Sequence, residues 1–417
     1  MVKVKRLAIT TAVALTLTNG LGAIPATITE SGLVSSTVGS VLHTTVPTAH
    51  AAGLETLISG AAAMAYVSTA INKMDNSDEG QQESLANAKK QTGYLDDWAA
   101  QQRVQTIVTN LSKSPLVKRS YAVYVNPQTD FNAFMTIGRV MSVNKGTLDK
   151  LDDNQLAYVI AHELSHGEHK DIVNGMKKQV GLSTALSIYA GGSAGGAILG
   201  NIAGNYINNQ VFTMSQEKNA DDLGFDILAD SQYNIGGAAG AMAVMRNTYG
   251  DKTYREGFAQ VLAPNNHPKA SARVTENIKR MYEYSGKHVN VVDNAVIVDG
   301  DNIYTPAASG RYTGEERSYY MAGKLAKLYH DNKITNGSAS YSGATVTVAG
   351  ESIVTTPGSD VALMVATNLN NAFVKAGGKS ASKTTKEKVK KEPNKKDSKT
   401  STTTSTSGNV DLLNLSK

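Results

Sequence analysis

The sequence predicts an α+β chain. A mostly helical body with a small β-sheet comes first, and a small α+β domain of two hairpin-helix repeats follows. Three observations carry this. Helical periodicity marks residues 54–72 and 83–113 and the stretches that begin at Leu156 and near Glu217. Two segments, 120–126 and 135–143, alternate like strands. A ten-residue segment, Val296–Thr305, recurs at an offset of 50 as Val346–Thr355, with five of ten positions identical. With 417 residues, 41% of them hydrophobic, the chain can bury a core.

The elements follow in order. Residues 1–51 read as a signal peptide. Lys3, Lys5 and Arg6 precede an apolar run that begins at Leu7 and ends before Asn19-Gly20, too short to span a membrane comfortably. Cleavage after Ala49-His50-Ala51 fits the small-x-small rule, with a site near Ala26 and an uncleaved anchor as alternatives. The expected location is therefore exported: periplasm or cell envelope. Residues 54–72 form a small-residue apolar helix, and 83–113 a second helix that places Leu95, Trp98, Val104, Ile107 and Leu111 on a repeating face. The two strand segments come next, the second ending at Asn144-Lys145-Gly146. Asp152 with Gln155 makes a capping-box start for the helix that opens at Leu156.

From Gln179 to Gln216 there is no charged residue, and glycines at 191, 192, 195, 196 and 200 interrupt the run. Core packing, contact with a membrane or substrate, and a true span are the three readings open here. In each repeat copy a proline and a helical stretch come next: Gly314–His330, with Thr313 and Glu316 as a capping box, and 360–373. These two copies form the 288–376 domain, whose default role is binding or positioning. From residue 377 a Lys/Ser/Thr-rich tail lacks the apolar surface to offset its ordering entropy. It reads as disordered, with an electrostatic tether to an anionic envelope as the sharper alternative.

Composition excludes several classes. No cysteine means no disulfide scaffold, thiolate metal site, cysteine nucleophile or lipidated amino-terminal cysteine. The net charge of +5 misleads if read whole: residues 1–51 carry +2 and 379–399 carry +6, which leaves 52–378 at −3. The basic balance sits in the ends, so no nucleic-acid partner follows from it.

The chemistry lies in His162-Glu163-Leu164-Ser165-His166, inside the strongest expected helix. Residues four apart share a helical face, so both imidazoles can bind one Zn²⁺. Glu163 sits beside them as general base for a metal-activated water. A third ligand is needed. The longer metzincin pattern would require Gly at 169 and His at 172, where the chain has His169 and Ile172. Glu217, on a later helix, can supply it. Asp221, four residues on, can accept a hydrogen bond from the outer nitrogen of a ligand histidine, and which histidine is not readable. His169 falls on the face of His162, either lining the site or lying on the surface.

Here the sequence resembles the HtpX/BepA-type zinc peptidases of metallopeptidase family 48, which are gluzincins. Four pieces match in order over about residues 90–285: Asn132-Ala133-Phe134, the zinc helix from Leu156 to His166, the segment Phe212–Asp221, and His267-Pro268 with Arg273. The resemblance implies a mostly helical, zincin-type metallopeptidase domain over 52–287. His162, His166 and Glu217 would hold one zinc, with Glu163 as general base and Asp221 behind a ligand. It also implies that Asn132, Ala133 and Phe134 lie on an edge strand pairing with an extended polypeptide substrate, so that cleavage is endoproteolytic. His267 would be a fourth ligand or oxyanion stabiliser, or else a structural loop histidine. The family often has Ser-Arg where Thr213-Met214 stands here.

The expected function is an exported zinc endopeptidase acting on misfolded or unassembled envelope proteins, with peripheral contact through 179–216 or the basic tail. The alternative is an envelope chaperone or assembly factor whose zinc site is plugged or vestigial.

Overall fold

The computed structural model describes residues 13–15, 24–26, 54–181, 212–251, 269–375 and 377. Near the start, β1 (Val13–Leu15) pairs antiparallel with β2 (Ile24–Ala26). The rest of the expected leader, most of the uncharged run (182–211), His267 and the basic tail lie outside the described residues.

Three helices open the body: α1 (Leu54–Asn76), α2 (Asp78–Thr92) and α3 (Trp98–Leu111). Ser77 caps α2 through Gly80 N–H, and Asp97 caps α3 through Ala100 N–H. The periodicity predicts one helix over 83–113, and there are two. Gly93 takes a φ of +83°, which ends α2, and the chain then runs extended so that Leu95 N–H donates to Val125 O. Trp98 opens α3 with 76% of its surface exposed instead of facing the core.

The first sheet has the order β3-β5-β4, from β3 (Ala122–Asn126), β4 (Ala133–Thr136) and β5 (Val140–Asn144). β5 runs parallel to β3 and antiparallel to β4. The single strand expected over 135–143 is two strands, because Gly138 (φ +76°) and Arg139 (φ +60°) reverse the chain. A Cβ at Gly138 would lie 2.6 Å from Ser84 Oγ, so the close approach also requires glycine. The outer edge of β3 is occupied at Val125: its N–H donates to Gln101 Oε1 (2.9 Å), and its carbonyl accepts from Gln101 Nε2 (3.0 Å) and Leu95 N–H. β4 forms the opposite edge, beside the metal-motif helix.

After the short α4 (Lys145–Lys150) comes that helix, α5 (Asp153–Glu168). Its capping box forms as expected: Asp152 accepts from Gln155 N–H, and the Gln155 side chain accepts from Asp152 N–H. Every residue from Gln155 to Gly167 is buried, so α5 is the central element of the body. Around it lie α6 (Asp171–Gln179), α7 (Met214–Ala229), α8 (Gly237–Tyr249) and α9 (Ala270–Tyr284). Gly224 lets α7 cross α5 closely, since a Cβ there would lie 3.0 Å from His162 Cα.

The remaining elements are two three-stranded antiparallel meanders, each followed by a helix. β6 (Val289–Val292), β7 (Ala295–Val298) and β8 (Asp301–Tyr304) precede α10 (Gly314–His330). β9 (Ala339–Ser342), β10 (Thr345–Val348) and β11 (Glu351–Thr355) precede α11 (Ser359–Lys375). The recurring segment is the last hairpin of each meander, and β6 and β9 add a third strand ahead of it. The register shifts at Val296/Ile297 in one copy and at Val346/Thr347 in the other, again 50 residues apart. Asp299-Gly300 and Ala349-Gly350 turn with positive φ at both positions, the combination that tight hairpin turns demand.

One buried hydrophobic cluster runs through the helical body and both meander-helix units. Polar contacts join them where α5 begins. Gln155 Nε2 donates to Glu316 Oε1 (2.7 Å), and Tyr320 Oη–H donates to Asp152 Oδ2 (2.5 Å). Glu316 closes the capping box of α10, so the capping residues of two helices are bonded to each other.

Candidate metal centre

Helix α5 presents His162, Glu163 and His166 towards α7, which brings Glu217 in its first turn. All four side chains are buried. His162 Nε2 lies 3.6 Å from Glu217 Oε2, and His166 Nε2 lies 3.5 Å from Glu217 Oε1. The two imidazoles are perpendicular, with centroids 4.8 Å apart. One ligand atom from each of the three residues falls within 4.8 Å of the others.

Each histidine is held from behind. His162 Nδ1 is 2.9 Å from Asp221 Oδ1, and His166 Nδ1 is 2.9 Å from Asp171 Oδ2. A carboxylate only accepts, so both Nδ1 atoms carry a proton, and each Nε2 is the nitrogen that faces Glu217. Asp221 also accepts from Arg273 Nε (3.0 Å), Arg273 Nη2 and Tyr158 Oη (3.0 Å). Burial alone would raise the Asp221 carboxyl. Arg273 and then His162 outweigh it and hold the group well below the usual carboxylate range. His166 shows the converse: burial pushes it down, but Asp171, Glu217 and Glu163 raise it to about 9.

The site fits zinc. Two imidazole nitrogens and a carboxylate oxygen are a zinc donor set, and ligand bonds of about 2.0–2.1 Å in tetrahedral array put neighbouring donors about 3.3 Å apart. The 3.5 and 3.6 Å separations are close to that spacing. His166 Nε2 is buried and makes no hydrogen bond among the described residues, the state of an atom reserved for a metal.

Glu163 Oε2 accepts from Met135 N–H of β4 at 2.9 Å. The edge strand therefore fixes this carboxylate. Of the expected edge residues, Ala133 and Phe134 lie in β4 and Asn132 immediately precedes it. Asn132 is tied to Thr147, whose hydroxyl accepts from its N–H (2.8 Å) and donates to its carbonyl (2.9 Å). His169 caps the carboxy-terminal end of α5 and is exposed, away from the cluster.

Sequence reasoning missed four residues here. Asp171 serves His166. Gln216 donates to Asp171 Oδ1 at 2.8 Å. Phe212 stacks on His166, with centroids 3.9 Å apart and planes at 12°. Tyr158 braces Asp221. The available signal for Asp171 was its place five residues after His166, hidden by the turn at Lys170 (φ +56°).

A helix carrying His-Glu-x-x-His, met by a glutamate from a second helix beside a sheet edge, is the arrangement that zincin-type metallopeptidases use. Residues 98–280 match the model of peptidase family M48. Similar curated proteins include the metalloprotease LoiP of Escherichia coli (strain K12), 30% identical over 135 residues, which are 31% of this chain and 51% of LoiP. A protease HtpX homologue of Acidiphilium cryptum (strain JF-5) is 40% identical over 81 residues, 17% of this chain and 28% of that protein. The metalloprotease YcaL of Escherichia coli (strain K12) is 24% identical over 148 residues, 34% of this chain and 56% of YcaL. The chain thus spans about half the length of LoiP and YcaL, and less of the HtpX homologue.

Proposed function

We propose that the chain is a zinc-dependent endopeptidase that hydrolyses polypeptides bound in extended form along β4. The observation that carries this reading is the joint placement of His162, His166 and Glu217 as a three-donor cluster with Glu163 bonded to the β4 edge. His162 and His166 would hold zinc through Nε2, and Glu217 through its carboxylate. Bound there, zinc would supply Lewis acidity to the scissile carbonyl and to a water, whose pKa would fall towards ~7. Glu163 is placed to accept a proton from the attacking water and return it to the leaving amine. Met135 N–H keeps the carboxylate oriented for both transfers. Asp221 and Asp171 hold the imidazoles in the tautomer that leaves Nε2 unprotonated.

The finer assignments belong to the same proposal. Residues 1–51 form the export leader, 52–287 the metallopeptidase domain, 288–376 a positioning or binding domain, and 377–417 the tail. Export to the periplasm or cell envelope is supported by the basic and apolar start, and the substrates are misfolded or unassembled proteins there. No helix among the described residues is long and apolar enough to cross a membrane. Contact with the envelope would run through 179–216 or the tail. The roles of His267 as ligand, oxyanion stabiliser or plug fall outside the described residues, and the chaperone reading takes the zinc site as plugged or vestigial.

The test is digestion of casein by the full chain, with chelator and with zinc restored. Internal cuts that vanish with chelator and return with zinc support the proposal. No cleavage by zinc-loaded protein favours the chaperone reading.

A further inference from the structure

The capping box of α7 has a second connection that capping does not require. Gln216 Oε1 accepts from Thr213 N–H (2.9 Å) and Thr213 Oγ1–H (3.0 Å), while Thr213 Oγ1 accepts from Gln216 N–H (3.2 Å). Those contacts complete the cap through the oxygen of the Gln216 amide alone. The amide nitrogen points the other way and donates to Asp171 Oδ1 at 2.8 Å. Asp171 is 5% exposed and spends its other oxygen on His166 Nδ1. The residue after Gln216 is Glu217, and Phe212, just before the cap, lies flat on the His166 ring.

We propose that Gln216 is a positioning residue for the metal: through Asp171 it locks the tautomer and orientation of His166, and so ties that ligand on α5 to the first turn of the helix that carries Glu217. This rests on the zinc reading of His162, His166 and Glu217. Glutamine is selected over glutamate for a physical reason. Either residue closes a capping box, and glutamate would also suit the helix dipole. Only glutamine has a donor to offer Asp171. Glutamate would set a second carboxylate against Asp171 and draw it off His166. The His162 branch has its own clamp in Arg273 and Tyr158, so Gln216 acts on His166 alone.

The experiment measures the zinc dissociation constant of the full chain by competition with a chromophoric chelator, together with the rate of zinc release. Gln216→Glu keeps the cap and removes the donor. Expected is a 10- to 100-fold weaker zinc affinity with faster release, about the range seen when a ligand's outer-shell partner is lost. The thermal midpoint of the metal-free protein stays near wild type. Asp171→Asn leaves the cap untouched and is expected to weaken zinc by a similar factor, because its amide nitrogen faces Gln216 Nε2. Combining the two reverses the polarity of the pair. The introduced asparagine can donate through its amide nitrogen to the introduced glutamate, and its amide oxygen still accepts from His166 Nδ1. The double variant is therefore expected to bind zinc more tightly than either single variant, a rescue that a merely structural role would not produce.

Zinc affinity of Gln216→Glu within about twofold of wild type overturns the proposal, as does multiplication of the two single effects in the double variant. Should Gln216→Glu not fold, an unchanged affinity in Asp171→Asn overturns it. Failure of the wild type to bind zinc at all would refute the metal reading itself and is read from the same titration.

Discussion

Removing Arg273 should cost the fold far more than removing an ordinary surface arginine, and the loss should depend on Asp221. The two residues are 7% and 3% exposed, and the guanidinium grips both carboxylate oxygens. In Arg273→Met, Asp221 keeps its bonds to Tyr158 and His162 but has no counter-charge from Arg273. Breaking a buried pair from one side costs about 3–5 kcal/mol. Asp221→Asn strands the guanidinium and should lose a comparable amount. Asp221→Asn with Arg273→Met removes both charges and should lose less than the sum, by roughly 2–3 kcal/mol of coupling. Urea unfolding of the metal-free protein at pH 7 reads all four stabilities. Additivity within about 0.5 kcal/mol would refute the reasoning, because it would mean that the pair contributes no more than two separate side chains.

Two further outcomes are expected. In the metal-free protein, His166 is raised from 6.5 to about 9, so its contribution to stability is fully present below about pH 6.5 and is lost as pH rises through 9. Asp221 is lowered from 3.8, so its contribution is present above about pH 4 and is lost as pH falls through its depressed value. Urea midpoints measured against pH should therefore be highest between about 4 and 6.5, and a midpoint that climbs from pH 7 to 9 would contradict this. Gly224→Ala should push α7 away from α5 at His162, costing about 1–3 kcal/mol and weakening zinc binding, because the new methyl would lie 3.0 Å from backbone atoms. A calorimetric midpoint and zinc affinity equal to wild type would show that the helices absorb it freely.

The parts of the site that sequence exposes are those written at short spacing. His162 and His166 are one helical turn apart, and the capping boxes at Asp152/Gln155 and Thr313/Glu316 are three-residue patterns that the backbone realises locally. Glu217 is legible because zinc needs a third donor. Asp171, Gln216 and Met135 N–H are not, because their work is done between elements, where only the fold sets the distance. Asp221 is identifiable as an acceptor without its histidine for the same reason. The breaks at Gly93 and at Gly138-Arg139 escape a periodicity reading because apolar residues continue through both. Leu95 still packs on the core from an extended segment, and Ile137, Val140 and Met141 are buried on both sides of the turn. Hydrophobic period reports burial, and burial persists through a turn that stays inside.

The central claim is that Glu163 carries the proton while His162, His166 and Glu217 hold the metal. The most direct measurement is casein cleavage by Glu163→Gln with zinc content determined on the same sample. Glutamine keeps the shape and can still accept from Met135 N–H, but it cannot take a proton. The expected result is one zinc per chain with cleavage abolished. Cleavage at the wild-type rate, or loss of zinc along with activity, would contradict that division of labour.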